Sequence, residues 1–219
     1  MKTNPLLKLM TLVAMLVTIV SCSESSLSEA EPTDFDTPLT KSALTEIQTE
    51  NLVFVFEEEK MARDVYYYLN EKWNLTVFAN IIDSEQNHKD AMEKLLISYE
   101  IDYPDNDTYG EFSIDEIRQL YIALTTSGES SILAALEVGM TIEDFDIEDL
   151  QARSEEFEDA DVVKVLGNLT EGSMNHLRAF YSNLKNLDET YTYSPQFISQ
   201  ELFDAIIAST DSRGHYGSK

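Results

Sequence analysis

Glu85 and His88 stand three residues apart in the run Phe78-Ala-Asn-Ile-Ile-Asp-Ser-Glu-Gln-Asn-His-Lys-Asp-Ala-Met92. On a helix, residues at that spacing share a face. At about 100° per residue the same stripe takes in Ile81, Met92 and Leu95. An acid and an imidazole therefore occupy positions that periodicity assigns to a core. A buried carboxylate is costly unless it is paired or binds metal. An inward Glu-x-x-His lets one helix give two ligands to an ion held inside a bundle. Alone the pattern is weak, because a histidine on an apolar stripe is more often a satisfied core group than a ligand.

Three further helical patterns repeat the placement. Over residues 40–73, Leu52, Val55, Phe56, Glu59, Ala62, Arg63, Tyr66 and Leu69 share a face, with Glu57 and Glu58 turned away from it. Over 130–152, a stripe of Ile132, Leu133, Leu136, Met140, Ile147 and Leu150 includes Glu143 and is flanked by Glu137, Asp144 and Asp146. Over 160–187, Ser173 and His176 fall on the face of Val162, Leu166, Leu169, Leu177, Phe180 and Leu184. Glu59, Glu85, His88, Glu143 and His176 thus fit one site in the middle of a bundle. Its carboxylates would repel one another unpaired, and a bound dication, or two, removes that conflict. Oxygen and imidazole donors without sulfur suit iron or manganese, with zinc as a frequent substitute. Tyr66 shares the face of Glu59 and is placed to support a ligand carboxylate from behind. The competing reading has no metal, with the inward acids pairing with the two histidines, with Arg63 or with a buried tyrosine.

The elements that must position these residues follow from composition and breaks. The 219 residues suffice for one domain with a sizeable core, and only 7 are glycine and 5 proline. With helical periodicity throughout, the expectation is all-α. The helical domain is expected over 40–208. Asn74-Leu75-Thr76 breaks the first helix from the second, about 77–100. Asp102 to Phe112 reads as a solvated loop whose acids lack the twelve-residue calcium pattern. Ser113-Ile-Asp-Glu116 reads as a capping box opening a short helix. A short amphipathic segment, 199–208, is expected to pack on the bundle, and 209–219 to form a flexible tail.

Forty-one acids against 15 basic residues give a formal net charge of −26, which argues against a nucleic-acid partner. At the N-terminus, Lys2 and Lys8 accompany an apolar run from Leu9 to Val20, too short for a good span and read as a secretory signal. Ser21-Cys22 resembles the bacterial lipobox, which implies a signal peptide over 1–21 and lipidation of Cys22. The tether over 22–39, rich in Ser, Glu, Asp, Thr and Pro, is expected to be disordered. The implied location is a lipid-anchored, extracytoplasmic one in the bacterial envelope. By resemblance to sorting patterns, Ser23 after the cysteine points to the outer rather than the inner membrane.

Glu59-Lys-Met-Ala62-Arg63-Asp-Val-Tyr66 is similar to the first-helix motif of rubrerythrins in the ferritin-like superfamily, and Ser84-Glu85-x-x-His88 resembles their second-helix motif. Leu52 to about Ala208 resembles more closely the bacterial domain-of-unknown-function 2202 family. Residues 57–66, Phe78-Ala-Asn-Ile, Val138-Gly139, Ile142 to Ile147, Gly172 to Phe180 and Ser194 to Glu201 carry that likeness. The resemblance implies a ferritin-like four-helix bundle, with an extra short helix between the second and third long helices and a short C-terminal one. It implies one or two bound irons and no particular reaction. The superfamily's fourth helix carries Glu-x-x-His, and here Ser173 stands in the glutamate's place, with Asp146 or water to fill in. Two functions follow as expectations. One is a tethered metalloprotein with ferroxidase- or peroxidase-type redox activity, Glu85 and Glu143 bridging two ions and each histidine capping one. The other is a non-enzymatic metal-binding or interaction module.

Overall fold

The computed structural model describes residues 43–209, and all its helices lie in the unit that begins at Leu44. Those residues form six helices and no strand. They are α1 (Glu46–Trp73), α2 (Thr76–Ser98), α3 (Asp115–Gly128), α4 (Ile132–Ser154), α5 (Ala160–Leu187) and α6 (Gln200–Ala208). The expected signal peptide, Cys22 and the expected tether lie outside the described residues, as does the expected tail from 210.

Local chemistry sets the ends. Thr45 and Gln48 form a reciprocal capping box, so α1 opens at Glu46. Asn74 takes the left-handed conformation (φ 51°) and closes α1, and α2 begins two residues later. Ser131 and Ser199 cap α4 and α6 through the amides of Ala134 and Leu202. The expected capping box at Ser113 is not used. The Glu57 carboxylate, reaching across from α1, accepts from the Ser113 and Ile114 amides at 2.7 Å each. Glu57 thus takes the Ser113 amide that the Glu116 side chain would accept in a capping box, and adds the Ile114 amide.

The short breaks make two hairpins, α1–α2 and α4–α5, and the hairpins meet through α1 on α4 and α2 on α5. At one end, Leu52 and Phe56 of α1, Met92 and Leu96 of α2, Leu150 of α4 and Leu166 of α5 share a core. At the other, the rings of Tyr66, Phe78 and Phe180 pack with centroids 5.2–5.8 Å apart. Gly139 of α4 lies against Phe180, where a Cβ would stand 2.6 Å from the ring. Helices α1 and α5 thus begin where α2 and α4 end. The chain must cross the length of the bundle between α2 and α4, and α3 lies on that crossover, packed on α1 and α4.

The crossover loop is open to solvent, as expected, and is also pinned from inside. Lys60 Nζ donates to the carbonyls of Thr108 (2.8 Å) and Glu111 (3.0 Å) and to Asp64 (2.7 Å). Asp64 also accepts from the Gly110 amide at 2.9 Å. Arg63 reaches Asp107 at 2.7 Å and lies over the Tyr109 ring. Asp144 ties down the segment before α6 through Tyr193 Oη (2.9 Å) and the amides of Gln196 (2.6 Å) and Ile198 (3.0 Å).

Candidate metal centre

The aligned hairpins bring Glu59 of α1, Glu85 and His88 of α2, Glu143 of α4 and His176 of α5 together between the two core ends. Glu59, Glu85 and Glu143 are all at most 2 % exposed. Their ligand atoms form two triads, Glu59–Glu85–His88 and Glu85–Glu143–His176, each within 4.8 Å. Glu85 belongs to both. Its Oε2 lies 2.9 Å from His88 Nδ1 and its Oε1 2.8 Å from His176 Nδ1. Glu59 Oε2 stands 3.2 Å from His88 Nδ1, and Glu143 Oε2 3.5 Å from His176 Nδ1. Among the described residues, only Glu85 belongs to both triads, and Glu143 belongs to one.

Both imidazoles turn Nδ1 inward. His176 Nε2 faces Ser84 Oγ at 2.9 Å, which orients the ring and leaves Nδ1 for the centre. His88 Nε2 abuts Gly172, where a Cβ would stand 2.4 Å away. The two rings lie nearly parallel with centroids 5.4 Å apart. The Tyr66 hydroxyl donates to Glu143 Oε1 at 2.5 Å, fixing that carboxylate from behind.

Not every short distance here is a hydrogen bond. Glu85 Oε1, Glu143 Oε2 and His176 Nδ1 are buried atoms without an aligned partner, although the first and last are 2.8 Å apart. In the metal-free state the charges balance internally. Burial lowers the affinity of His88 for its proton, but Glu59 and Glu85 outweigh it and push its pKa up to about 11. Burial likewise opposes His176, and Glu85 and Glu143 raise it to about 10. Burial would raise Glu85, yet the rings of His176 and His88 hold it well below the usual carboxylate range. Burial wins at Glu59, which rises to about 7 despite His88, and at Glu143, which is raised despite His176.

The supporting residues divide. Tyr66 reaches a ligand carboxylate. Arg63 does not, because its guanidinium is spent on Asp64 (2.8 Å), Gln86 (2.5 Å) and Asp107. Ser173 Oγ bonds back to the Leu169 carbonyl at 3.2 Å, one turn up its own helix. Asp146 is buried beside Glu143 on α4, with Oδ1 unpartnered. Ser84 and Gly172 were not singled out for the site. The signal for Ser84 was its place beside Glu85; for Gly172 it was a small residue one position before Ser173 on the inward face.

Gly172→Ala gives a direct test of the packing around His88. The added methyl drives the ring off its position, with an expected destabilisation of about 1–3 kcal/mol. Thermal melting should show the stability loss.

The described residues thus form an all-helical body with an acid–imidazole cluster that could hold a metal ion. A family model described as "Uncharacterized protein domain (DUF2202)" matches residues 48–210, and the chain belongs to that family. It is 43 % identical over 182 residues to "Uncharacterized protein MJ0754" of Methanocaldococcus jannaschii, covering 83 % of this chain and 97 % of the relative. The crystal structure of hypothetical protein MJ0754 from Methanococcus jannaschii DSM 2661 superposes with a TM-score of 0.75 and 43 % identity, covering 80 % of this chain and 99 % of that one.

The relative's source corrects the expected location. It is an archaeon, which has no bacterial outer membrane, so the reading built on residues 1–23 does not hold as a location for this family's fold. Among the described residues, no helix is long and apolar enough to cross a membrane.

Proposed function

We propose that the chain is a ferritin-like metalloprotein that holds two iron- or manganese-type ions, one in each triad, with Glu85 between them. The observation that carries this reading is the shared carboxylate. Each Glu85 oxygen serves a different histidine, and the unaligned atoms of Glu85, Glu143 and His176 converge in a closed interior. The run of helices supports the ferritin-like arrangement, since two hairpins joined by one long crossover are its topology. Carboxylate and imidazole donors without sulfur favour iron or manganese, with zinc as substitute.

Bound iron would supply one-electron chemistry for ferroxidase- or peroxidase-type turnover. The chain's own residues hold and orient. Tyr66 fixes Glu143, Ser84 orients His176, and the core at either end keeps water out. The test is elemental analysis of the metal-free chain after aerobic reloading with ferrous iron. About two irons per chain with near-ultraviolet absorption support the redox reading. One colourless ion supports a binding module without turnover, which the missing fourth-helix glutamate at Ser173 favours. No metal, with an unchanged melting temperature, sinks both.

Loading should also release protons. His88 and His176 carry theirs near neutral pH in the metal-free state, with pKa values raised to about 11 and about 10. A dication must displace both, and near pH 7 it also displaces the proton that Glu59, raised to about 7, partly keeps, so affinity rises with pH across 7–9 and about two to three protons leave per loaded chain. The sign for stability is opposite. Raised histidine pKa values stabilise the metal-free fold fully below about 6.5, and that contribution is lost as pH rises through 10–11. Metal titration in weakly buffered indicator solution measures the release.

A further inference from the structure

The two hairpins repeat one pattern of donors, and one member of the repeat is missing. Helix α1 gives Glu59 and α4 gives Glu143, each to one triad. Helix α2 gives Glu85 with His88 three residues on, and α5 gives Ser173 with His176 three residues on. Residue 173 thus stands in the repeat where α2 has its shared carboxylate. Helix α5 sends no other acid inward, because its acids, Asp161 and Glu171, are both exposed.

Two contacts fix where Ser173 stands. Immediately before it, Gly172 abuts His88 Nε2, where a Cβ would come within 2.4 Å. One turn after it, His176 Nε2 faces Ser84 Oγ at 2.9 Å. Ser173 lies between those contacts on α5, is 1 % exposed, and shares the inward face of His176. Its hydroxyl gives nothing to the centre, being bonded back to the Leu169 carbonyl at 3.2 Å. Among the five ligand residues, the buried atoms without an aligned partner are Glu85 Oε1, Glu143 Oε2 and His176 Nδ1. All three belong to the triad that His176 completes, the one served by α5.

We propose that Ser173 leaves the centre open to a small carboxylate from solution, of the size of formate, which takes the part of a second shared carboxylate. The proposal rests on the metal-binding reading above. Size and charge both point to this ligand. Serine Oγ corresponds to glutamate Cγ, so what serine lacks is the carboxylate itself, Cδ with its oxygens. Two dications bring four positive charges, and the three carboxylates of the triads remove three. One positive charge is left within the ligand set, and an uncompensated buried charge is costly. A single monoanion balances it. Ser173 then determines specificity, because a side chain that refills its place shuts the ligand out.

The experiment is a formate titration of the full-length chain loaded with Co2+, whose visible absorption reports the ligands around the ion. The parent is compared with Ser173→Glu and Ser173→Leu. The expected result is a saturable spectral change in the parent. In both variants formate affinity should fall ~10-fold or more, because a tethered side chain holds the place at high effective concentration. Without formate, the Ser173→Glu spectrum should match that of the formate-bound parent, a signature that the leucine variant does not give. A loaded parent that formate leaves unchanged overturns the proposal and leaves the metal centre standing, with Asp146 or water completing the ions. Equal formate affinity in the parent and Ser173→Glu also overturns it, since the anion would then bind elsewhere. No Co2+ bound by the parent removes the metal-binding reading and this proposal with it. If Ser173→Glu melts early, Ser173→Leu carries the same comparison of affinities.

Discussion

Replacing Glu85 by alanine is expected to abolish the proposed binding of both metal ions at once, whereas Glu59→Ala and Glu143→Ala are each expected to abolish one. The difference follows from the connectivity of the centre. Glu85 is a member of both triads, while Glu59 serves only the His88 side and Glu143 only the His176 side. Elemental analysis of the three variants after identical loading reads the result. One ion retained in Glu85→Ala would show that the triads are independent and that Glu85 is not shared. The same substitution has a second effect in the metal-free protein. His176 holds its proton against burial first through Glu85, and His88 does so first through Glu59 and then through Glu85. Without it, each keeps only one carboxylate neighbour, His88 with Glu59 at 3.2 Å and His176 with Glu143 at 3.5 Å. Breaking a buried charge cluster by removing one partner costs about 3–5 kcal/mol. Metal-free Glu85→Ala should therefore melt well below the parent, and the added stabilisation from metal should vanish. Glu85→Gln keeps the volume and is expected to separate the two effects, retaining more of the fold and still failing to load.

The centre was readable because its residues break a pattern. Each of Glu59, Glu85, His88, Glu143 and His176 interrupts an apolar stripe, and a stripe position is buried whatever occupies it. The same rule misread Glu57 and Glu58. It gives a helix one wet face, but α1 is covered by α2, α3 and α4, and every residue from Val55 to Tyr66 is buried. In a helix surrounded on all sides, position around the axis no longer separates core from solvent. Four residues of the conspicuous run 57–66 then turn out to serve the crossover. Glu57 caps α3, and Lys60, Arg63 and Asp64 clamp the loop before it. These are contacts across 44 to 57 residues of sequence, which helical spacing does not register. Ser84 and Gly172 escaped for a related reason. Each acts on a histidine of another helix, and only the packing of α2 on α5 brings them together.

Asp64→Ala is expected to be among the most destabilising single changes in the chain while leaving the metal ligands untouched. The Asp64 carboxylate accepts four bonds: from Lys60 Nζ at 2.7 Å, from Arg63 Nε at 3.0 Å and Nη2 at 2.8 Å, and from the Gly110 amide at 2.9 Å. Lys60 and Arg63 are each 1 % exposed. Removing Asp64 leaves the Lys60 ammonium buried among neutral carbonyls and the Arg63 guanidinium with the exposed Asp107 as its remaining acid partner. An uncompensated buried charge costs about 3–5 kcal/mol. For a chain of this size each kcal/mol shifts the melting temperature by roughly 2–4 °C, so a fall of about 10 °C is expected. The fall should be of similar size with and without metal, because the clamp binds the crossover and not the ions. That signature separates it from Glu85→Ala, whose loss includes the metal-dependent part. Folded Asp64→Ala should still load both triads. A melting temperature within about 2 °C of the parent would mean that the two cations find other partners, and that the crossover is held by its apolar contacts instead.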